Sequence, residues 1–226
     1  YDQDGNLIRR TSSGYYGDSI GWVDYARYEY TYDANGHLTE ELNLDWNSED
    51  SKWENDWKSK HVYDANGYLI EYIDIYWDIN TSAWMNRYKD VYVNDANGNP
   101  LTMSEYWWDD VQSAWFQERI REMQYNEAGL IISRVYKYYS SWDSAWVNSS
   151  KSEYTYNEDN RILTRDNYWD YENDTWLISS REQYTYAENG TLSEIIELDY
   201  NHDSLSWEPD YKQVMVYDPD YPMASL

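Results

Sequence analysis

The 226-residue chain has no cysteine and only one phenylalanine. Without cysteine there is no disulfide, no thiolate metal site and no thiol nucleophile. Histidine is almost as scarce: His37, His61 and His202 are the whole set, and they fall in unrelated positions. No His-Glu-x-x-His, phosphate-binding loop or Gly-x-Ser-x-Gly occurs, so the motifs of common hydrolases and nucleotide enzymes are missing. No apolar run approaches the ~18 residues a membrane-spanning helix needs. Basic residues are few, 17 against 43 acidic, for a net charge of −26. Such a chain repels phosphate backbones and anionic headgroups, which excludes nucleic acid and membrane insertion as expectations. Cations, basic proteins and neutral carbohydrate remain. There is no initiating Met and no signal peptide before Tyr1. The chain therefore reads as a processed or excised piece of a longer protein.

What fills the chain is aromatic: 28 Tyr and 14 Trp. A dry core would use Phe freely, so the Tyr bias places ring edges near water or hydrogen-bond partners. The rings keep a beat. Trp22, Trp53, Trp84, Trp115, Trp146, Trp176 and Trp207 are spaced by 31, 31, 31, 31, 30 and 31 residues. Gly5, Gly36, Gly67, Gly98, Gly129, Asn160 and Gly190 run in phase with them. Two ladders in phase over the whole chain mean a repeat architecture, in which each unit buries its apolar surface against its neighbours. The blocks are 1–31, 32–62, 63–93, 94–124, 125–155, 156–185 and 186–216. Residues 217–226, with Pro219 and Pro222, form an exit segment.

Within a block, Asp33-Ala-Asn-Gly36 is hairpin-turn chemistry, with Gly supplying positive φ. Asn160 is the non-Gly residue best suited to that slot. Leu42, Leu44 and Trp46 alternate with Asn43 and Asp45, which is the period of a strand with one buried face. A six-residue loop, 47–52, then reverses the chain, and Trp46 pairs with Trp53 across it. Each block is thus two strands. The expected fold is all-β: an antiparallel β-meander repeat array of seven two-strand blocks, with the sheet curled or superhelical. Trp53, Trp84, Trp115 and Trp146 are expected to form one ladder, each packing on the next block. Arg27, Lys58, Lys89, Lys151, Arg181 and Lys212 share a slot broken by Ile120, and read as a charge ladder on the solvated face with Glu29, Glu122 and Glu153. The first strand, 6–15, is an edge, expected to pair with another segment of the same long protein or with a partner chain.

Tyr30, Tyr32, Asp33, Gly36 and Leu38 spell Tyr-x-Tyr-Asp-x-x-Gly-x-Leu, which recurs in part at Tyr63, Asp64, Gly67 and Leu69 and at Tyr154, Tyr156 and Ile162. This resembles the YD repeat of Rhs and teneurin-type proteins. The longer, Trp-bearing unit is closer to Tyr/Trp-rich repeats of secreted Bacteroidetes proteins. The resemblance implies a long antiparallel strip and a secreted or cell-surface bacterial setting.

Four chemistries compete for the remaining residues. Asp2 with Asp4, and Asp95 with Asn97, place oxygens at alternate positions before Gly. They are weak candidates for calcium, although a hairpin turn needs the same residues. Trp57, Trp107 and Trp142 break the Trp period and are candidates to stack on sugars. Ser19, Ser144 and Ser204, each after an Asp in a loop, fit an O-glycan acceptor pattern. Paired carboxylates abound but mostly occupy repeat slots, so no enzyme and no cofactor is expected. The expected function is a non-enzymatic structural or adhesive repeat segment of a larger protein. The alternative is a glycan-binding module.

Overall fold

The structure, a computed structural model, describes residues 1–172 and 175–216. The predicted exit segment, 217–226, lies outside the described residues. Fourteen strands and no helix are present among them: β1 (Arg9–Tyr15), β2 (Trp22–Tyr32), β3 (Leu38–Asn47), β4 (Lys52–Tyr63), β5 (Leu69–Asp78), β6 (Ala83–Asn94), β7 (Pro100–Asp109), β8 (Ala114–Tyr125), β9 (Ile131–Ser140), β10 (Ala145–Tyr156), β11 (Ile162–Glu172), β12 (Thr175–Tyr186), β13 (Leu192–Asn201) and β14 (Ser206–Val214). Their order in the sheet is their order in the chain, as a meander requires. The chain divides into two compact units, Tyr1–Ile120 and Arg121–Leu226.

In the first unit the short turns behave as read. Gly36, Gly67 and Gly98 have φ of 86°, 85° and 85°. The Asp33 carboxylate accepts from the amides of Asn35 and His37 at 2.8 and 2.9 Å, tying the turn to itself. The opposite loop is tighter than the predicted six residues, because β3 runs to Asn47 and β4 starts at Lys52. Asn47 Oδ1 accepts from the Glu49 and Asp50 amides, and Ser51 closes the loop at φ 52°. The first strand also starts later than expected, at Arg9.

A bulge follows each loop. Asn43 pairs with Trp57 but Leu44 with Asn55, leaving Asp56 as the extra residue; Arg87 is the extra residue in the next hairpin. The bulge resets the alternation. Trp53 and Lys58 therefore share a face although five residues apart, and Trp57 lies on the other.

On the first of these faces Trp46 meets Trp53, Trp77 meets Trp84 and Trp108 meets Trp115, edge to face at 5.2, 5.1 and 5.1 Å. Each ring pair closes its own hairpin. The expected ladder of successive Trp rings does not form, since Trp53 and Trp84 are two strands apart, about 10 Å, beyond ring contact. What bridges the blocks is the basic column. Arg27 lies over Trp53 at 4.2 Å, Lys58 over Trp84 at 4.7 Å and Lys89 over Trp115 at 5.0 Å. These cations do not stand on the solvated face as predicted. Lys58 and Lys89 side chains are 17 % and 19 % exposed, laid along the Trp rings. Their acids are Glu40 and Glu71, diagonal neighbours on the preceding strand, at 3.8 and 3.6 Å. Of the predicted acids, Glu29 pairs instead with Arg9.

Two further latches join consecutive blocks. The Tyr32 hydroxyl donates to the Leu7 carbonyl and the Tyr63 hydroxyl to that of Leu38, both at 3.0 Å, and Asn94 does the same to Leu69 with its amide. His37 stacks on Tyr63 at 4.8 Å and covers Gly67 so closely that a Cβ there would lie 2.7 Å from Nε2.

The second unit repeats this grammar. Tyr156 and Tyr186 donate to the carbonyls of Ile131 and Ile162 at 2.7 and 2.9 Å. Asn160 takes the Gly slot at φ 62°, as expected. Arg181 lies over Trp207 at 4.8 Å and pairs with Asp166. Lys151 reaches Tyr168 and, as predicted, Glu153, while Glu122 is taken by Lys137.

Candidate functional site

The second face of the first unit is built differently. Its strands present Asn43 on β3, Trp57, Ser59 and His61 on β4, and Tyr72, Asp74 and Tyr76 on β5. Tyr88 and Asp90 follow on β6, and Glu105 and Trp107 on β7. Here the buried residues are small and polar: Ser59, Asn43 and Asp74 are 2 %, 3 % and 6 % exposed. Tall rings on either side cover them, so short polar side chains form a floor between aromatic walls.

The rings form an unbroken string across four strands. His61 meets Tyr72 at 5.1 Å, Tyr72 meets Tyr88 at 5.8 Å, and Tyr88 meets Trp107 at 5.9 Å. Burial pushes the Tyr72 phenol well above its ordinary range, helped by its hydrogen bond with Tyr88. Burial alone pushes the His61 imidazole down, which keeps it neutral at pH 7. Burial also raises the Asp74 carboxyl against the opposing pull of Arg87, whose Nη1 is 3.3 Å away.

At the Trp107 end the string opens to solvent. A hollow of about 210 Å³ is lined by Tyr88, Asp90, Met103, Glu105, Tyr106 and Trp107. That is below the ~300–1,000 Å³ of drug-sized pockets and suits one sugar ring rather than a folded ligand. On its far side Trp107 shares a second hollow with Phe116, Glu118 and Arg119. The chemistry on offer is stacking against rings, with carboxylates beside them as hydroxyl acceptors.

The three sugar candidates therefore part company. Trp107 stands in the string, 46 % exposed. Trp57 is half-buried on the same face, in direct register with Tyr76. Trp142 lies apart from them, in the loop after β9 in the second unit, 97 % exposed. Trp107 does not break the repeat after all. It belongs to a column of exposed rings, Tyr76, Trp107, Tyr138 and Trp169, at intervals of 31 residues. The column is hidden in the sequence because Tyr and Trp interchange in it and because Tyr76, Trp107 and Tyr138 each stand next to another ring, Trp77, Trp108 and Tyr139.

The calcium candidates are occupied by turn chemistry. Asp2 Oδ1 accepts from the Asp4 and Asn6 amides at 3.0 and 2.8 Å, and Asp95 Oδ1 from those of Asn97 and Asn99 at 2.8 and 2.9 Å. Asp4 and Asn97 contribute backbone amides to those turns. The Asn6 and Asn99 side-chain amides, which donate to the other carboxylate oxygen of Asp2 and Asp95 at 3.0 Å, and then these backbone bonds hold the two carboxyls below their usual range. No cluster of three or more metal-ligating side chains occurs among the described residues. Ser19, Ser144 and Ser204 are all exposed in loops, Ser144 at φ 49°.

Residues 2–94 match the model of a family of unknown function, DUF3836. No curated protein matches the chain. Among solved structures, a DUF3836 family protein from Bacteroides vulgatus is 21 % identical, with 42 % of this chain and 91 % of that one covered and a TM-score of 0.35. A protein of unknown function from Bacteroides fragilis is 11 % identical, covering 71 % of this chain and 92 % of its own, with a TM-score of 0.41. The Tc holotoxin pore of Photorhabdus luminescens is 13 % identical over 91 % of this chain and 11 % of its own, with a TM-score of 0.45.

Proposed function

We propose that the chain is a non-enzymatic, adhesive repeat segment of a larger secreted or cell-surface bacterial protein, and that its adhesive chemistry is carbohydrate binding. The observation that carries this reading is the ring string ending at exposed Trp107 over a sugar-sized hollow edged by Asp90 and Glu105. A packing face has no use for an exposed indole in a carboxylate-edged hollow, whereas a pyranose needs both. The regular latches on the opposite face favour a scaffold role beside it, since they stiffen the strip without using this surface. The outer edge of β1 is the place for a further segment or a partner chain, because Arg9–Tyr15 pairs with β2 alone. A glycan array read out by intrinsic Trp fluorescence tests the proposal. Saturable binding that is lost in Trp107→Ala and weakened in Trp57→Ala is expected. Absence of binding, or binding indifferent to Trp107→Ala, sinks it.

A further inference from the structure

We propose that the ligand is a linear polymer of amino sugars carrying free amines, laid across the strands of the first unit. This rests on the carbohydrate reading and narrows it. Five consecutive strands each bring an outer ring to this face, beside the inner His61 and Tyr72: Trp57 on β4, Tyr76 on β5, Tyr88 on β6, Trp107 on β7 and Phe116 on β8. Trp57 and Tyr76 are register partners, as are Tyr88 and Trp107, and Phe116 shares a hollow with Trp107. Adjacent strands lie about 4.8 Å apart, close to the advance per sugar in an extended β-linked hexopyranose chain. Between β5 and β6 the row steps two residues along the strands, because Tyr76 faces Met85 and Tyr88 faces Asp74, so a chain crossing obliquely meets one ring per strand over a crossing distance of roughly 19 Å for four strand gaps. A chain running along the strands meets one or two rings.

Charge decides which sugars. The basic residues of this face are already matched, Arg87 by Asp74 at 3.3 Å and Arg119 by Glu105 at 3.9 Å. The acids are in excess. Asp56, the bulge residue beside Trp57, has its carboxyl pushed up by burial and by the negative charge of Asp45. Glu118 edges the hollow between Trp107 and Phe116. Among the described residues no basic side chain pairs with Asp45, Asp56 or Glu118. Uronate, sulfate or sialic acid groups would face these carboxylates at like-charge distance, while an ammonium between Asp45 and Asp56 relieves their repulsion. The net charge of −26 acts in the same direction at long range.

The test uses the full chain at about pH 6, with calorimetry against hexamers of glucosamine, N-acetylglucosamine and galacturonic acid. The glucosamine hexamer should bind about five- to tenfold more tightly than the acetylated one at low salt, the worth of two or three exposed charge contacts. That advantage should disappear near 1 M salt, where screening shortens to a few ångströms. Affinity should rise with chain length up to five sugars and then level off, and the uronate should not bind. The pair Asp45→Asn and Asp56→Asn, both exposed positions, should erase the amine preference while leaving acetylated binding intact. Equal affinity for the glucosamine and N-acetylglucosamine hexamers, or for the uronate, overturns this proposal and leaves the carbohydrate reading standing. Failure of all three to bind overturns both.

Discussion

Removing one oxygen tests how the blocks are joined. The Tyr63 hydroxyl donates to the Leu38 carbonyl at 3.0 Å across the block boundary, while the ring stacks on His37. Tyr63→Phe keeps the ring and its stacking and deletes only the donor. A net hydrogen bond contributes about 0.5–1.5 kcal/mol, and a buried carbonyl left without its partner adds up to ~1–3 kcal/mol. Tyr63 is only half-buried, so water reaches part of the gap, and the cost should be about 1–1.5 kcal/mol. With a urea m-value of roughly 2 kcal/mol/M, the midpoint should fall by about 0.5–0.75 M, with m unchanged. Tyr76→Phe is the control. Its phenol is on the exposed column, and its change should stay within ~0.5 kcal/mol. Equilibrium urea unfolding followed by far-UV circular dichroism measures both. Equal midpoints for Tyr63→Phe and the parent would refute the latch and reduce the Tyr-Asp signature to turn chemistry alone.

Two more predictions concern charge and packing. The carboxyls of Asp2, Asp33, Asp78 and Asp95 are held below their ordinary value by turn hydrogen bonds, with His37 the main donor for Asp33. Their folded pKa lies below the unfolded one, so their stabilisation is present above about pH 4 and is lost as pH falls through the folded values. Asn126 and Asn157 already fill this slot with the same amide bonds. Changing Asp33 and Asp95 to Asn should therefore flatten the acid limb of a melting-temperature profile, mainly by lowering its pH 7 end, where the carboxylates' contribution is lost while the amide bonds are kept. The alkaline limb should fall above about pH 10, as tyrosines whose folded phenols are raised, Tyr63, Tyr72 and Tyr156, ionise first in the unfolded chain. Trp84→Ala, stripping a half-buried ring from both Trp77 and Lys58, should cost about 2–3 kcal/mol, a little under the range for a fully buried indole. Trp107→Ala should cost under ~1 kcal/mol, and calorimetric melts that reverse this order would contradict the assignment of the two faces.

Much of this was legible before any coordinates, because the signals are local. A Gly or Asn at fixed phase demands a positive φ, and alternation demands a strand, so block length, hairpin order and the Trp46–Trp53 pairing follow from residues a few positions apart. The bulge is not legible in that way. Asp56 and Arg87 look like ordinary strand residues, yet each shifts the phase by one, and every inside–outside assignment on its strand inverts past it. That is why Lys58 read as solvated when it lies over Trp84; Trp107 read as an exception for another reason, the interchange of Tyr and Trp along its column. The missing residue of the 30-residue block, between Trp169 and Trp176, is visible as a gap in the count, but which contact absorbs it is not.

The latches described above all reach one block and no further, the tyrosines backward and the cations forward. Tyr32 finds Leu7, Tyr63 finds Leu38, and Arg27, Lys58 and Lys89 find the next Trp. Free energy in such a strip is a sum over links between adjacent members, as in a one-dimensional chain of coupled spins. An interior block is held from two sides and a terminal one from one side. Amide hydrogens should therefore exchange fastest in β1 and β14 and progressively more slowly toward the middle of each unit. The protein frays like rope instead of melting like a globule. A pull on one end is then met by one hairpin at a time, and the ring-bearing face of β4–β8 stays assembled while the outermost strands open and close.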